Sequence, residues 1–521
     1  MRGRTSADST TPDARTRVRA GATTNTLAVA AVGAIVLAGL LVRLPRLTQS
    51  LWFDEVFRTR VVLTPERIGA LLWHDVHNPL YNAVMYAWVH LFGDREWVIR
   101  LPGVLAGAAL VLVVFAWVRE RWGRSAARWA AAWLWLTPAH VWYSCEAKNN
   151  IVTALLATLG LWTLDRACVG RTGGRVALAA IAGALAIWTD FQSLLVLPFA
   201  WIAWTLWGQG RAPERRAWVV PVVCAVGTVL LASPLLVHKA AHASELQRDY
   251  LRYFSVPEAM RLLLVYFPTG NALVPTGQRA WPLVALLMAP VVLPSLVAGV
   301  RAVARDSSGR VVLVALAAPM CVMVVASEIL VARGSAARVY QERNLLVMLP
   351  LLAAVLGVGA IGAGRWRAFS RWGLPIVALV SSVGLVTWSA GRDTLMYPNP
   401  DWRGACAYIG GVEAGLGDAS ERDERDGVGR GVLVVSRTPM LPVEYYLPRA
   451  RRAEIGRDEP PARAIRAAME TANTLEAWLI VNPNWHGIGA DELAEVEREF
   501  RVVQRRDFRR LRVLRLRALD E

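Results

Sequence analysis

The residues with the clearest chemical content lie in Ser50-Leu51-Trp52-Phe53-Asp54-Glu55. Two adjacent carboxylates stand beside two aromatic rings, a few residues after a long apolar run, Leu27 to Val42. Charge at a membrane boundary is costly, and ionisable groups there tend to mark functional pathways. A group-transfer enzyme acting on a hydroxyl or amine needs such a carboxylate, as general base or as metal ligand. One carboxylate does the chemistry while its neighbour tunes its pKa or orients the acceptor. The competing reading is a solvated pair on an ordinary loop.

Three other groups invite the same question. In His77-Asn78-Pro79-Leu80-Tyr81 the proline suits the first turn of a helix. His77 could donate to a phosphate or carboxylate there, or simply cap the helix. In Trp142-Tyr143-Ser144-Cys145-Glu146-Ala147-Lys148-Asn149-Asn150, helical spacing puts Glu146 and Asn150 on one face. Lys148 points elsewhere, either to an anionic headgroup or along its own stem to the interface, as lysines at span ends do. In Tyr340-Gln341-Glu342-Arg343-Asn344, Arg343 is suited to a bidentate grip on phosphate. It is equally suited to a charged helix end.

The chain that must position these residues has the composition of an integral membrane protein. Its 521 residues are 55% hydrophobic, with a mean hydropathy of +0.35. The net charge of +17 does not point to nucleic acid. Apart from Lys148 and Lys239 the positive charge is all arginine, much of it in short clusters between apolar runs. That is the pattern of cytoplasmic loops. The five cysteines have neither paired nor metal-like spacing.

A crossing helix needs about 20 apolar residues. Segments near that length fall at 97–118, 127–144, 147–165, 175–189, 191–207, 217–237, 281–300, 311–331, 344–362 and 372–390. With the first run they make about 11 spans. Pro79 to Phe92 is too short to cross and is expected to lie in the outer interface. That choice puts Arg119/Arg121/Arg124, Arg166/Arg171/Arg175, Arg211/Arg215/Arg216, Arg301/Arg305/Arg310 and Arg365/Arg367/Arg371 all inside. Arg43 and Arg46 are the exceptions, with anionic headgroups or the site itself as their explanation. The predicted organisation is a disordered cytoplasmic tail over 1–24 and a transmembrane domain over 25–390, with outer loops 44–96 and 238–280. Residues 391–521 form a small extracytoplasmic α/β domain. Its expected strands are Gly431–Ser436, Ala477–Val481, Val502–Gln504 and Arg510–Leu516, and its expected helices Trp402–Ile409 and Asp491–Phe500. The arginines of 501–517 read as a solvated edge or as a grip on acidic headgroups. Nearly every unusual polar residue then lands on one outer face. A transporter would hold polar groups at mid-membrane and often carries internal repeats, and none is visible here. A transporter or flippase of a lipid-linked sugar is nevertheless the alternative, and a scaffold presenting the last domain a third.

The order Leu51-Trp52-Phe53-Asp54-Glu55, His77 to Tyr81, Leu91-Phe92-Gly93, Arg100-Leu101-Pro102, Tyr143 to Lys148, then Arg343 with Pro350, resembles a known family. It is similar to the C-type membrane glycosyltransferases related to dolichyl-phosphate-mannose protein mannosyltransferases and bacterial aminoarabinose transferases. The resemblance covers roughly residues 30–390. It implies that Asp54, with Glu55 beside it, is the catalytic signature, with Asp54 as general base or metal-associated carboxylate. It carries the family's His-Pro-Pro-Leu onto His77 to Leu80, with Asn78 for the first proline. The family's Glu-Ala-Arg-x-Tyr falls on Glu146 to Asn150, with Lys148 for arginine and Asn150 for tyrosine. Its Arg-Tyr falls on Arg343-Asn344, and Asp190 stands where an outer-corner histidine is usual. The resemblance further implies a polyprenyl-phosphate sugar as donor, a lipid, glycan or protein acceptor, and transfer with inversion. Lys148, Arg343 and His77 would meet the donor phosphate, and Glu146, Asn150 and Asp190 the substrates. No cofactor is certain. A divalent cation at Asp54 is compatible with the family, although the carboxylates make no recognisable cage. The expected location is the inner membrane, with the N-terminus cytoplasmic.

Overall fold

The structure is a computed structural model. It describes residues 32–63, 79–170, 172–207, 218–241, 254–269, 281–333, 342–364, 367–391, 400–417 and 432–519, apart from 438–439, 457–458 and 483–487. The predicted tail 1–24, His77, most of the 238–280 loop and the 415–429 loop beyond Gly417 lie outside the described residues.

Helix α1 (32–47) leads through a short turn into α2 (Phe53–Leu63), which begins with Asp54 and Glu55 in its first turn. Acidic residues there suit the positive end of the helix. Helix α3 (Pro79–Phe92) has 14 residues, as the sequence predicts, and spans about 21 Å. Helix α4 (Glu96–Leu136) covers 41 residues and joins two arms at Gly123, whose φ of 88° only glycine adopts easily. The predicted 127–144 segment breaks at Thr137, which is extended ahead of Pro138, so α5 is only Pro138–Ser144. There follow α6 (Asn150–Gly170), α7 (Gly173–Thr189), a 3-10 turn (Phe191–Leu195) and α8 (Leu197–Trp207). Next are α9 (Val219–Ala241), α10 (Val256–Arg261, continued by a π turn, Leu262–Tyr266, and a last helical turn, Phe267–Thr269), α11 (Trp281–Val303) and α12 (Ser307–Ala332). A 3-10 turn, Glu342–Met348, opens α13 (Leu349–Gly362), and α14 runs Arg367–Gly391. Among the described residues, 6 helices are long and apolar enough to cross a membrane. Three shorter apolar helices, Gly173–Thr189, Phe191–Trp207 and Arg371–Gly384, accompany them. Apolar length and interior packing together make the chain a polytopic helical membrane protein.

Helix α13 is apolar all round and buried from Leu349 to Ala360, so it occupies the bundle's centre. Gly357 lets it approach Ala126 and Ala130 of α4, and Gly359 lets it approach Ser295 of α11. The ends of the bundle differ. At one end, buried Asp165 of α6 accepts from Trp117 Nε1 at 2.9 Å, Arg121 Nε at 2.6 Å and Ser308 Oγ at 2.7 Å, which ties α4, α6 and α12 together. At the other end the loops 48–52, 145–149 and 189–193 meet the start of α13, and there the C-terminal domain sits.

That domain holds α15 (Trp402–Gly417), β1 (Leu433–Ser436), α16 (Leu441–Tyr446), β2 (Arg451–Glu454), α17 (Pro461–Thr471), β3 (Glu476–Val481), α18 (Ala490–Glu499), β4 (Phe500–Phe508) and β5 (Leu511–Ala518). The sheet order is β2-β1-β3-β5-β4, with β1 parallel to β2 and β3, and β5 antiparallel to β3 and β4. Alternate residues feed two cores. Val434, Trp478, Ile480 and Val513 pack on Trp402, Cys406 and Val443, while Leu433, Leu479, Leu514 and Leu516 pack on Ile465, Met469 and Val496. Both predicted helices and all four predicted strands are present. Strand β2, with α16 and α17, is additional. Of the two readings of the late arginines, ion pairing at the surface fits better: Arg515 and Arg517 flank Glu476, and Arg512 meets Asp507 at 2.7 Å.

Candidate functional site

Asp54 lies at the start of α2 and is 32% exposed. Its Oδ2 accepts from Lys148 Nζ and stands 3.5 Å from Arg343 Nη1. The three residues come from α2, the 145–149 turn and the 3-10 turn before α13. Lys148 is only 2% exposed, and its ammonium lies 4.3 Å from the Trp52 ring centroid. That is cation–π range. It does not snorkel, the competing reading for a lysine at a span end, but turns inward onto Asp54. Burial lowers its pKa, and Asp54 opposes the shift. Arg343 is 30% exposed, so the carboxylate and one of its two cations are reachable from outside.

Glu55 is placed differently from its neighbour. It is fully buried, and both its oxygens are taken. Oε1 accepts from Arg100 Nε at 2.9 Å and Ala147 N at 3.0 Å. Oε2 accepts from Arg100 Nη2 at 2.7 Å and Trp52 N at 3.2 Å. Burial alone would raise its pKa, but the Arg100 guanidinium and these hydrogen bonds hold it below the ordinary carboxylate value. Arg100 also donates to the carbonyls of Arg46, Leu47, Gln49 and Ser50 at 2.6–3.1 Å. The 46–50 segment therefore wraps one guanidinium, and the geometry fits Glu55 as a positioning group rather than one that touches substrate.

The 145–149 segment is a series of bends, and α6 starts at Asn150. Glu146 and Asn150 therefore do not share a helix face, contrary to the sequence reading. Glu146 accepts from Trp142 Nε1 at 2.6 Å, and burial raises its pKa. The Trp142 ring also lies 3.2 Å below the Arg46 guanidinium. Asp190 caps the 3-10 turn by accepting from Gln192 N at 2.8 Å, and it also accepts from Asn149 Nδ2. Gln192 Nε2 bridges Asn150 Oδ1 and Asn344 Oδ1, each at 3.2 Å. The structure thus brings Asp54, Lys148 and Arg343 to one point and places Asn150 and Asp190 in an adjoining polar network. Arg43 and Arg46 are buried, so neither is a headgroup contact; Arg43 donates to Ser144 Oγ at 2.9 Å and to the Trp135 carbonyl at 3.1 Å. Sequence reasoning gave no role to Arg100, Gln192 or Tyr446. A charge inside the 97–118 apolar run was the available signal for Arg100.

Two cations face the Asp54 carboxylate, Glu55 is committed to Arg100, and no group of three His, Cys, Asp or Glu side chains lies together among the described residues.

The helical bundle, with its small α/β domain over one end, has counterparts among solved structures. The chain superposes on ArnT of Cupriavidus metallidurans in its apo state with a TM-score of 0.57 and 15% identity, over 94% of this chain and 98% of that one. The same protein bound to undecaprenyl phosphate gives 0.55 and 14% identity over the same shares. Residues 76–238 match the family model for dolichyl-phosphate-mannose-protein mannosyltransferase. YkcB of Bacillus subtilis (strain 168), named as a candidate mannosyltransferase, is 27% identical over 153 residues. That match covers 28% of this chain and 21% of the relative's length.

Proposed function

We propose that the protein is a polyprenyl-phosphate-sugar-dependent glycosyltransferase of the inner membrane, hexosyl- or mannosyl-transferring in type, acting at the extracytoplasmic face. The observation that carries this reading is the convergence of Lys148 and Arg343 on Asp54 at a partly exposed point. A nucleophile needs a base, and a departing phosphate needs preorganised cations. The undecaprenyl phosphate bound by a protein of the same fold supports a lipid phosphate as the carrier.

In the proposed reaction Asp54 accepts the proton of an acceptor hydroxyl. The acceptor oxygen bonds to the anomeric carbon from the face opposite the phosphate, and the carbon–oxygen bond to phosphate breaks. Its electron pair leaves on the polyprenyl phosphate, held by Lys148 and Arg343, and the anomeric configuration inverts. A donor phosphate arriving between the two cations competes with Asp54 for them and frees the carboxylate to accept. His77 is proposed to assist at the phosphate. Asn150 and Asp190 shape the substrate cavity, and Glu146 supports it through Trp142. Lipids, glycans and proteins all supply suitable acceptor hydroxyls.

The grip is tested with undecaprenyl phosphate itself. Lys148→Ala and Arg343→Ala each remove a charge-assisted hydrogen bond, an expected loss of about 1.5–3 kcal/mol or roughly 10- to 150-fold in affinity. Lys148→Arg should retain most binding. Unchanged affinity in both alanine variants would place the phosphate elsewhere.

The proposed topology has about 11 crossing helices, the N-terminus inside and 391–521 outside, with α3 along the outer interface. A cysteine probe near Asp94 should react with an impermeant reagent in intact cells. One near Gly123 should react only after the membrane is opened, and the opposite pattern would invert the map.

A further inference from the structure

We propose that the C-terminal domain is a working part of the active site, because Asp401 and Tyr446 fix the 48–52 turn and through it the position of Asp54. This rests on the role of Asp54 proposed above.

The turn between α1 and α2 belongs to no helix or strand, and Asp54 follows Leu51 by three residues. On the bundle side, Arg100 collects its carbonyls. On the opposite side, the last domain supplies a set of polar contacts. Ser50 Oγ donates to Asp401 Oδ1 at 3.0 Å and accepts from Arg403 N at 3.3 Å. The same Asp401 oxygen accepts from Gly404 N at 3.0 Å, which locks it at the start of α15. Arg403 Nη2 donates to Thr48 O at 3.0 Å, and Nη1 pairs with Glu96 at 3.1 Å. The Tyr446 hydroxyl accepts from Leu51 N at 2.8 Å and donates to Glu96 Oε1 at 3.3 Å. Tyr445 donates to the Asp94 carbonyl at 2.6 Å. Leu441, Tyr445 and Tyr446 also pack on the cluster of Leu51, Val56 and Tyr81.

A domain that was merely tethered would need only surface pairs, which contribute little. Here the buried Leu51 N–H relies on a side chain of another domain, and a buried N–H without a partner is strongly disfavoured. Held from both sides, the turn presents Asp54 in one orientation. That matters for a base, whose efficiency depends on fixed geometry. Asp401 and Tyr446 are positioning residues, since they act through Ser50 and Leu51.

The test uses the full chain and Tyr446→Phe, which keeps the ring and removes the hydroxyl. The expected result is about a tenfold lower kcat, with an unchanged KM for whichever polyprenyl-phosphate sugar the wild type consumes. Amide exchange at Leu51 should accelerate at least about tenfold while β1 and β3 keep their protection. Asp401→Ala should lower kcat similarly, and Asp401→Asn, which retains the Oδ1 acceptor, should restore it. Unchanged Leu51 exchange, an effect on KM alone, or equal losses from Asp401→Asn and Asp401→Ala would overturn the proposal. If the wild type consumes no such donor, the transferase reading fails, and the exchange measurement still decides whether the domain holds the turn.

Discussion

Asp54→Asn is expected to cut sugar transfer by about 10²- to 10⁴-fold while the protein stays folded and membrane-inserted. Asparagine keeps the shape and part of the hydrogen bonding but cannot take a proton from the acceptor. The side chain is 32% exposed at a helix start, so little packing is lost. The structure adds an expectation for binding. Lys148 and Arg343 both face Asp54 Oδ2, so on the proposed reading a lipid phosphate competes with Asp54 for them, and its removal ends that competition. Undecaprenyl phosphate should therefore bind Asp54→Asn at least as tightly as wild type. Weakened binding with normal folding would mean that Asp54 supports the donor rather than the nucleophile. A flippase would go on moving lipid-linked sugar with asparagine at this position, and a scaffold would show no change.

Glu55→Gln should behave in the opposite way and deplete folded protein. The sequence alone gave Glu55 the part of a neighbour that tunes the pKa of Asp54 or orients the acceptor. Its carboxylate is instead sealed against Arg100 at 2.7 Å with both groups about 1% exposed. Removing one partner of a buried pair costs about 3–5 kcal/mol, because the other charge stays buried without compensation. That is a large part of a typical folding free energy. A marked loss of thermal stability in detergent is the expected reading, with Arg100→Ala in the same range. The sign of the pH dependence follows from the lowered pKa of Glu55. Its stabilising contribution is complete above the ordinary carboxylate value and is lost as pH falls through the depressed folded value. Wild-type melting for Glu55→Gln, or for the native protein at acid pH, would remove Glu55 from this role.

The contrast between these two neighbours marks the limit of what the sequence reveals. Asp54 was legible because it closes an aromatic-acidic stretch just after the first apolar run. Nothing in the string says that the adjacent carboxylate turns inward, since that depends on Arg100, 45 positions later. Lys148 and Arg343 were legible as cations at span ends. Their meeting on one oxygen joins positions 94 and 289 residues from Asp54, and only the bundle's packing sets that. The reading of Glu146 and Asn150 failed for a local reason. Helical periodicity was carried through 145–149, where the backbone bends and α6 has not yet begun. In the C-terminal domain the buried strands β1 and β3 announced themselves by apolar runs. Strand β2 is Arg-Arg-Ala-Glu on an exposed edge, and it is a strand only because Leu433–Ser436 offers it a parallel partner. Tyr446 had no signal either, because its role is defined by a contact across 395 residues.

The central claim is that Asp54, Lys148 and Arg343 together transfer a sugar from a lipid phosphate. Its most direct test is to incubate purified wild-type and Asp54→Asn proteins with a panel of polyprenyl-phosphate sugars and of lipid, glycan and protein acceptors, and measure release of the lipid phosphate. The predicted result is release by wild type from at least one donor, and almost none by Asp54→Asn although it binds undecaprenyl phosphate. Release at equal rates by the two proteins, or no release from any donor by correctly folded wild type, would contradict it.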